Sequence, residues 1–322
     1  MRRGLGAAIA GVLVLGTAPS AAQTLPLQTW PARQIELIMP WPAGSGVDLI
    51  ARAMAQAMAA GLGQSIVVLN RDGASGTIGF KALAAAAPDG YTLGGGPTTP
   101  IANAPYLVKG VRYQVSSFDY ICQYYENVFA LAVTRASRFK SAEELFAAAA
   151  AAPGKLAFGH AGIGSIPHLS VENLSEALGL KFQHVPFRGE SPMLPVLISG
   201  DLDFGSVSLA SVRAYDLRAL AVFADARRPG YPDAPSIKEL GVASFVPPGH
   251  NGLFAPAALP EPVRTRLEQA CANATRDEGV LRVMAGAGQT IAFLESAKFR
   301  EQTIADYKFK GEIVRRLGLE AN

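Results

Sequence analysis

Two stretches of this chain combine glycine, hydroxyl and ring side chains in a pattern suited to holding an anion. They are Trp41-Pro42-Ala43-Gly44-Ser45-Gly46-Val47-Asp48 and His160-Ala161-Gly162-Ile163-Gly164-Ser165-Ile166-Pro167-His168. Each follows a short apolar run and precedes a segment with helical spacing. Backbone N–H groups at a helix start attract negative charge, and glycine lets a ligand approach the backbone closely. Gly44-Ser45-Gly46 lacks the third glycine of a dinucleotide fingerprint, and no lysine follows as a phosphate loop needs. Residues 39–51 hold no Arg or Lys, which a phosphate would recruit. Backbone donors plus a hydroxyl suit a single carboxylate better. Taken alone, the first loop is equally well explained as a plain turn whose Asp48 complements the helix dipole, worth ~0.3–1 kcal/mol.

Other chemistries find less support. Gly44-Ser45-Gly46 and Gly164-Ser165 have the wrong spacing for a nucleophile elbow. No carboxylate pair stands out, so no catalytic residue is assigned. His160 and His168 are eight apart across a glycine-proline loop, without H-E-x-x-H or C-x-x-C. They read as hydrogen-bonded rings, and neither metal nor cofactor is expected. Cys122 and Cys271 can form one disulfide or stay as two buried thiols.

The elements that must position these loops alternate strand and helix. Residues 1–22 carry Arg2 and Arg3, an apolar stretch from Leu5 to Leu15 and a small-residue ending. That is the pattern of an export signal cut before Gln23, with an apolar core too short to span a bilayer. A periplasmic protein, not inserted in the membrane, is expected. Removing those 22 of 322 residues leaves 300, with 27 basic and 26 acidic side chains. So balanced a charge offers no footprint for nucleic acid.

Ile35–Met39 reads as a buried strand. After it, Val47, Ile50, Met54, Met58 and Leu62 fall on one helix face that Gly61 and Gly63 close. Strand 65–69, the loop 70–76, an alanine-rich helix and strand 91–95 follow. Downstream come strand 128–134 and a helix opened by the capping box of Ser141 and Glu144. Strand 156–159, the loop 160–167, a helix, strand 182–187 and the loop 188–191 complete a similar order. This is the pattern of an α/β protein with mainly parallel sheets and two lobes. Open α/β sheets bind ligands at strand carboxyl ends, which sets the two loops across one cleft. Helical segments near 262–317 can pack back on the first lobe.

Five blocks of the chain resemble the substrate-binding receptors of tripartite tricarboxylate transporters, the TctC or Bug family. They are WPARQIELIMPWPAGSGVDLIAR, VVLNRDGASGTIGFKALAAAAPDGYTL, HVPFRGESPMLPVLISGDLDF, LRALAVF with PDAPSIKELG, and GLFAPAALP. The resemblance implies a two-lobed type II periplasmic-binding-protein fold, lobe 1 from 23–125 plus 245–322 and lobe 2 from 126–244. It implies a monomer that captures a small organic acid and delivers it to the transporter's membrane components. The alternative is a sensor that signals to a regulatory partner. The ligand carboxylate would be gripped by Trp41, Ala43, Gly44, Ser45, Gly46 and Asp48 on one side, Asp48 more as an organiser of the loop than as a contact. On the other side stand His160, Gly162, Gly164, Ser165 and His168.

Departures from the family pattern mark this chain's own features. Ser165-Ile166-Pro167 stands where a Thr-Ser-Ser stretch is usual, so Ser165 and backbone amides carry that side. Val207, between Ser206 and Ser208, replaces an aspartate suited to a ligand ammonium, which points away from amino acids. His160 replaces a common serine, His250 falls where Trp is usual, and Arg188 replaces a lysine, with an interlobe or surface ion pair its expected role. Thr98 and Thr99 end the third strand as hydroxyl donors, and Trp41 and Phe187 are candidate apolar walls.

Overall fold

A computed structural model describes residues 30–320. The expected export signal lies outside the described residues. The first sheet is opened by β1 (Ile35–Met39), α1 (Gly46–Leu62), β2 (Ile66–Asn70), α2 (Thr77–Ala84) and β3 (Thr92–Pro97). Two short helices, α3 (Thr99–Ala102) and α4 (Ala104–Leu107), lead into β4 (Phe118–Asn127). The chain then enters the second sheet with β5 (Phe129–Val133), α5 (Ala142–Ala151), β6 (Ala157–His160), α6 (Ile166–Leu178) and β7 (Gln183–Pro186). That lobe continues through α7 (Leu194–Ser199), β8 (Phe204–Ser208), α8 (Leu209–Ala214) and β9 (Arg218–Val222). It returns with β10 (Gly249–Pro256), α9 (Glu261–Ala274), α10 (Glu278–Gly286), β11 (Ile291–Glu295) and α11 (Ser296–Arg316).

The sheets run β11-β4-β10-β3-β1-β2 and β7-β6-β8-β5-β9. Helices flank both, giving the expected two-lobed α/β fold, but the sheets are mixed and not mainly parallel. β1 pairs in parallel with β2 and β3, and β6 with β7 and β8. β10 is antiparallel to β3, and β5 is antiparallel to β8 and β9. The reason is the crossover: a strand arriving from the other lobe enters at the cleft and runs away from it, against strands that run toward it.

Local sequence explains the elements beside the cleft. Ile50, Met54, Met58 and Leu62 of α1 are buried against Leu37, Leu93 and Leu253 of the sheet. Gly63 ends the helix with φ 72°, its N–H donating to Ala59 O. In α5 the Ser141 hydroxyl accepts from the Glu144 N–H, while the Glu144 carboxylate takes the N–H of Lys140 and not that of Ser141. Cys122 of β4 and Cys271 of α9 are disulfide-bonded, with Cα atoms 6.6 Å apart.

The terminal helices only partly follow expectation. α9 and α10 cover the first sheet, and Phe299 of α11 joins its core. The far end of α11 crosses to the other lobe, where Ile313 and Val314 pack among Leu169, Leu174 and Phe158. Arg316 binds both Asn173 and Glu176 of α6. α11 therefore ties the two lobes together.

Candidate functional site

The first loop leaves β1 and enters α1 through Ser45, an extended residue whose side chain makes no capping bond. Its conformation is set from below by Asp48, which is buried. The Asp48 carboxylate accepts from the Gly44 N–H at 2.9 Å, Arg52 Nε at 2.9 Å and Asn70 Nδ2 at 2.8 Å. Asn70 Nδ2 also reaches Trp41 O, and Arg52 donates to Asn70 Oδ1. Burial pushes the Asp48 carboxyl up, but the bonds from Arg52, Asn70 and Gly44 outweigh it and hold the group below its ordinary value. Asp48 is thus a fully engaged organiser of the loop. Gly44, at φ 79°, takes the left-handed turn that this bond requires. The Trp41 ring lies against Gly76 and Pro100, so it props the loop on its neighbours.

The second loop leaves β6 and enters α6, where the Ser165 hydroxyl accepts from the His168 N–H as an N-cap. The Gly164 N–H donates to His168 Nδ1 at 3.0 Å, and His160 Nδ1 lies 2.9 Å from Gly162 O. Both rings are buried and stack with centroids 4.2 Å apart. Burial lowers His160 to about 4, with a smaller opposing effect of the Gly162 carbonyl. Burial and the two neighbouring rings lower His168 to about 3.

The second loop touches the other lobe at α3 and α4. Asn103, after α3, donates from Nδ2 to Gly164 O at 3.1 Å. A side chain at Gly164 would overlap Leu107 of α4, so glycine there permits the approach. On the opposite side Gly288 packs against Ala210 of α8.

Among the described residues four hydroxyls are buried without a hydrogen-bond partner: Ser45 Oγ, Thr98 Oγ1, Ser206 Oγ and, inside α6, Ser170 Oγ. Ser45 opens α1 after β1, Thr98 follows β3, and Ser206 lies within β8. The Thr98 N–H, in contrast, is taken by His250 O at 2.8 Å, and Thr99 is half-buried at the start of α3. Ser208 is committed: its N–H and Oγ both donate to Glu190, and its Oγ caps α8.

The remaining residues chosen from sequence are placed as follows. Val207 faces the apolar cluster with Val128, Met193 and Val212, and Phe187 packs at that cluster's edge. Ala43, Gly44 and Gly46 are exposed, Gly162 is half-buried at φ 121°, and Arg188 is exposed. His250 is buried at the start of β10, where Gln302 Nε2 lies 2.8 Å from its Nδ1. It lines a separate cavity of about 810 Å³ with Glu126, Arg228, Gln302, Asp306 and Phe309.

Sequence reasoning missed Arg52, one helical turn from Asp48, and also Asn70, Asn103 and Glu190, whose partners lie far away in the chain. It also missed His184. β7 pairs with β6 so that His184 lies beside Phe158, and His184 Nδ1 comes 3.3 Å from His160 Nε2. Three of the four histidines are therefore gathered at one place.

Comparison with known proteins agrees with this architecture. Residues 50–319 match the family model described as tripartite tricarboxylate transporter family receptor. A UPF0065 protein of Bordetella pertussis is 32% identical over 79% of this chain and 80% of its own length. BugT of the same organism is 31% identical over 88% of each. A TctC solute-binding protein from Polaromonas superposes with a TM-score of 0.77 at 29% identity, covering 89% of this chain and 100% of its own. MatC of Rhodopseudomonas palustris, solved with bound malate, gives 0.75 at 27% over 88% and 100%. An R. palustris protein solved with adipate gives 0.79 at 26% over 90% and 98%.

Proposed function

The chain belongs to the tripartite tricarboxylate transporter receptor family, and from that premise we propose that it is a periplasmic receptor for one small organic acid. It captures the acid between its lobes by a carboxylate and delivers it to the membrane components of such a transporter. The observation that carries this reading is the set of buried, unpartnered hydroxyls of Ser45, Thr98 and Ser206. Leaving such groups without a partner is costly, and a carboxylate accepting from them offsets that cost. The first amides of α1, orphan donors at any helix start, add to the same grip. Ligand bound to both lobes stabilises the closed arrangement over the open one, and the transporter distinguishes the two.

Ligands bearing an ammonium are disfavoured. The Asp48 carboxylate is occupied by Gly44, Arg52 and Asn70, and that of Glu190 by Ser208. An ammonium enclosed without a partner would be expensive.

A thermal-shift panel of malate, adipate, citrate and benzoate beside aspartate and glutamate tests the reading. At least one acid without an ammonium is expected to raise the melting temperature, a ligand at 100 times its Kd adding about 2.7 kcal/mol. Ser45→Ala and Ser206→Ala should each weaken that acid roughly 10–100-fold, the loss of a hydrogen bond to a charged group at about 1.5–3 kcal/mol. Unchanged affinity in both variants would refute the grip, and tight aspartate or glutamate binding would refute the exclusion of amino acids. Deleting the gene should abolish uptake of the labelled acid; undiminished uptake would remove the transport role.

A further inference from the structure

We infer that His160, His168 and His184 form a binding site for a first-row transition-metal ion, with zinc as its natural occupant and Glu172 beside it. One nitrogen from each ring lies within 4.8 Å of one from each of the others. Two nitrogens around tetrahedral zinc, each about 2.0–2.1 Å from the metal, stand roughly 3.3–3.4 Å apart. His160 Nε2 and His184 Nδ1, at 3.3 Å, already have that spacing. The His160 ring is also turned for the task. Its Nδ1 is held by the Gly162 backbone, 2.9 Å from the carbonyl oxygen and 3.2 Å from the amide nitrogen, which leaves Nε2 facing His184. A backbone carbonyl holding the far nitrogen is the usual way a metal-ligating histidine is oriented.

His168 closes the set by turning its ring. It now holds the Gly164 amide on Nδ1 and faces Glu172 Oε1 at 3.6 Å from Nε2, and it trades one of these contacts for the ion. Three imidazoles with no thiolate select zinc, copper or nickel over calcium and magnesium. His184 is exposed, which gives the ion a way in from solvent.

The consequence is local to the second loop. The rings that would ligate the metal are those that hold the Gly162 and Gly164 backbone, so an ion fixes this half of the cleft. The site does not depend on the identity of the organic acid, and it stands or falls separately from the transport role.

The experiment is a titration of the chelator-stripped mature chain with ZnCl2 against a chromophoric chelator, together with His184→Asn and His160→Ala. One equivalent is expected to bind in the submicromolar range and to raise the melting temperature. Both variants should weaken binding by at least about 10–100-fold, the loss that even outer partners of a metal site produce. His184→Asn lies at an exposed position, so its metal-free melting temperature should match the parent, and it keeps the test valid if His160→Ala fails to fold. Cobalt in place of zinc should give the intense visible bands of a four-coordinate ion. The absence of saturable one-to-one binding, or affinity unchanged in His184→Asn, overturns the site.

Discussion

His250 shows how one buried side chain makes the stability of the protein depend on pH. It sits among Glu126, Gln302, Asp306 and Lys310, and burial, helped by the Lys310 ammonium, lowers its pKa to about 3. Glu126 is 3.7 Å away, but a ring that stays neutral is not its ion-pair partner at neutral pH. The unfolded chain protonates this residue near 6.5, so between about 6.5 and 3 it binds a proton that the folded state refuses. Stability from this group is complete above that window and is lost as pH falls through it. Urea unfolding at pH 7, 6, 5 and 4 should therefore show a shallower decline for His250→Gln than for the parent. The difference should be near one proton, about 1.4 kcal/mol per pH unit. Parallel curves would mean that the folded protein accommodates the charged ring.

α11 is the element whose role sequence periodicity described least well. It carries Lys310 and Asp306 one turn apart, both fully buried, with Lys310 Nζ donating to Asp306 Oδ2 at 2.6 Å. Burial pushes the Asp306 carboxyl above its ordinary value even though Lys310 opposes this, and Asp306 Oδ1 has no partner. Breaking such a pair from one side leaves a stranded charge. Lys310→Met is expected to destabilise by about 3–5 kcal/mol, whereas Asp306→Leu with Lys310→Met should be neutral or stabilising. Chemical denaturation of the two variants decides this, and equal losses in both would show that the pair itself stabilises the helix. An amphipathic pattern reveals that a helix has a buried face, but not that the face changes lobes halfway along, as it does between Phe299 and Ile313.

Across the molecule, the disulfide joins β4, next to the edge strand β11 of the first sheet, to α9 on its surface. It closes 149 residues of chain and so encloses the whole second lobe. Constraining so long a loop in the unfolded state is worth roughly 2–5 kcal/mol. Cys122→Ala with Cys271→Ala, or reduction of the parent, should lower the urea midpoint accordingly. An unchanged midpoint would show that the two sheets need no tether. The chain crosses between the lobes at residues 127–129, at 223–249 and again along α11, and the Asn103–Gly164 bond adds a non-covalent bridge.

Sequence by itself determined the alternation of strands and helices and the two glycine-rich loops at strand ends. These follow from local rules, since periodicity, capping residues and glycine act within a few positions of one another. It did not determine the mixed sheets, which depend on where the chain crosses from one lobe to the other. Nor did it determine which side chains are spent on internal bonds. Asp48 is held by Asn70, Ser208 by Glu190, and Gly164 by Asn103, all partners remote in the chain. The histidines make the same point most sharply: His160 and His168 share a loop, but only the pairing of β6 with β7 brings in His184. Sequence sets the chemistry available at each position, and tertiary packing decides which groups meet, because a buried polar atom must find its partner wherever the fold places one.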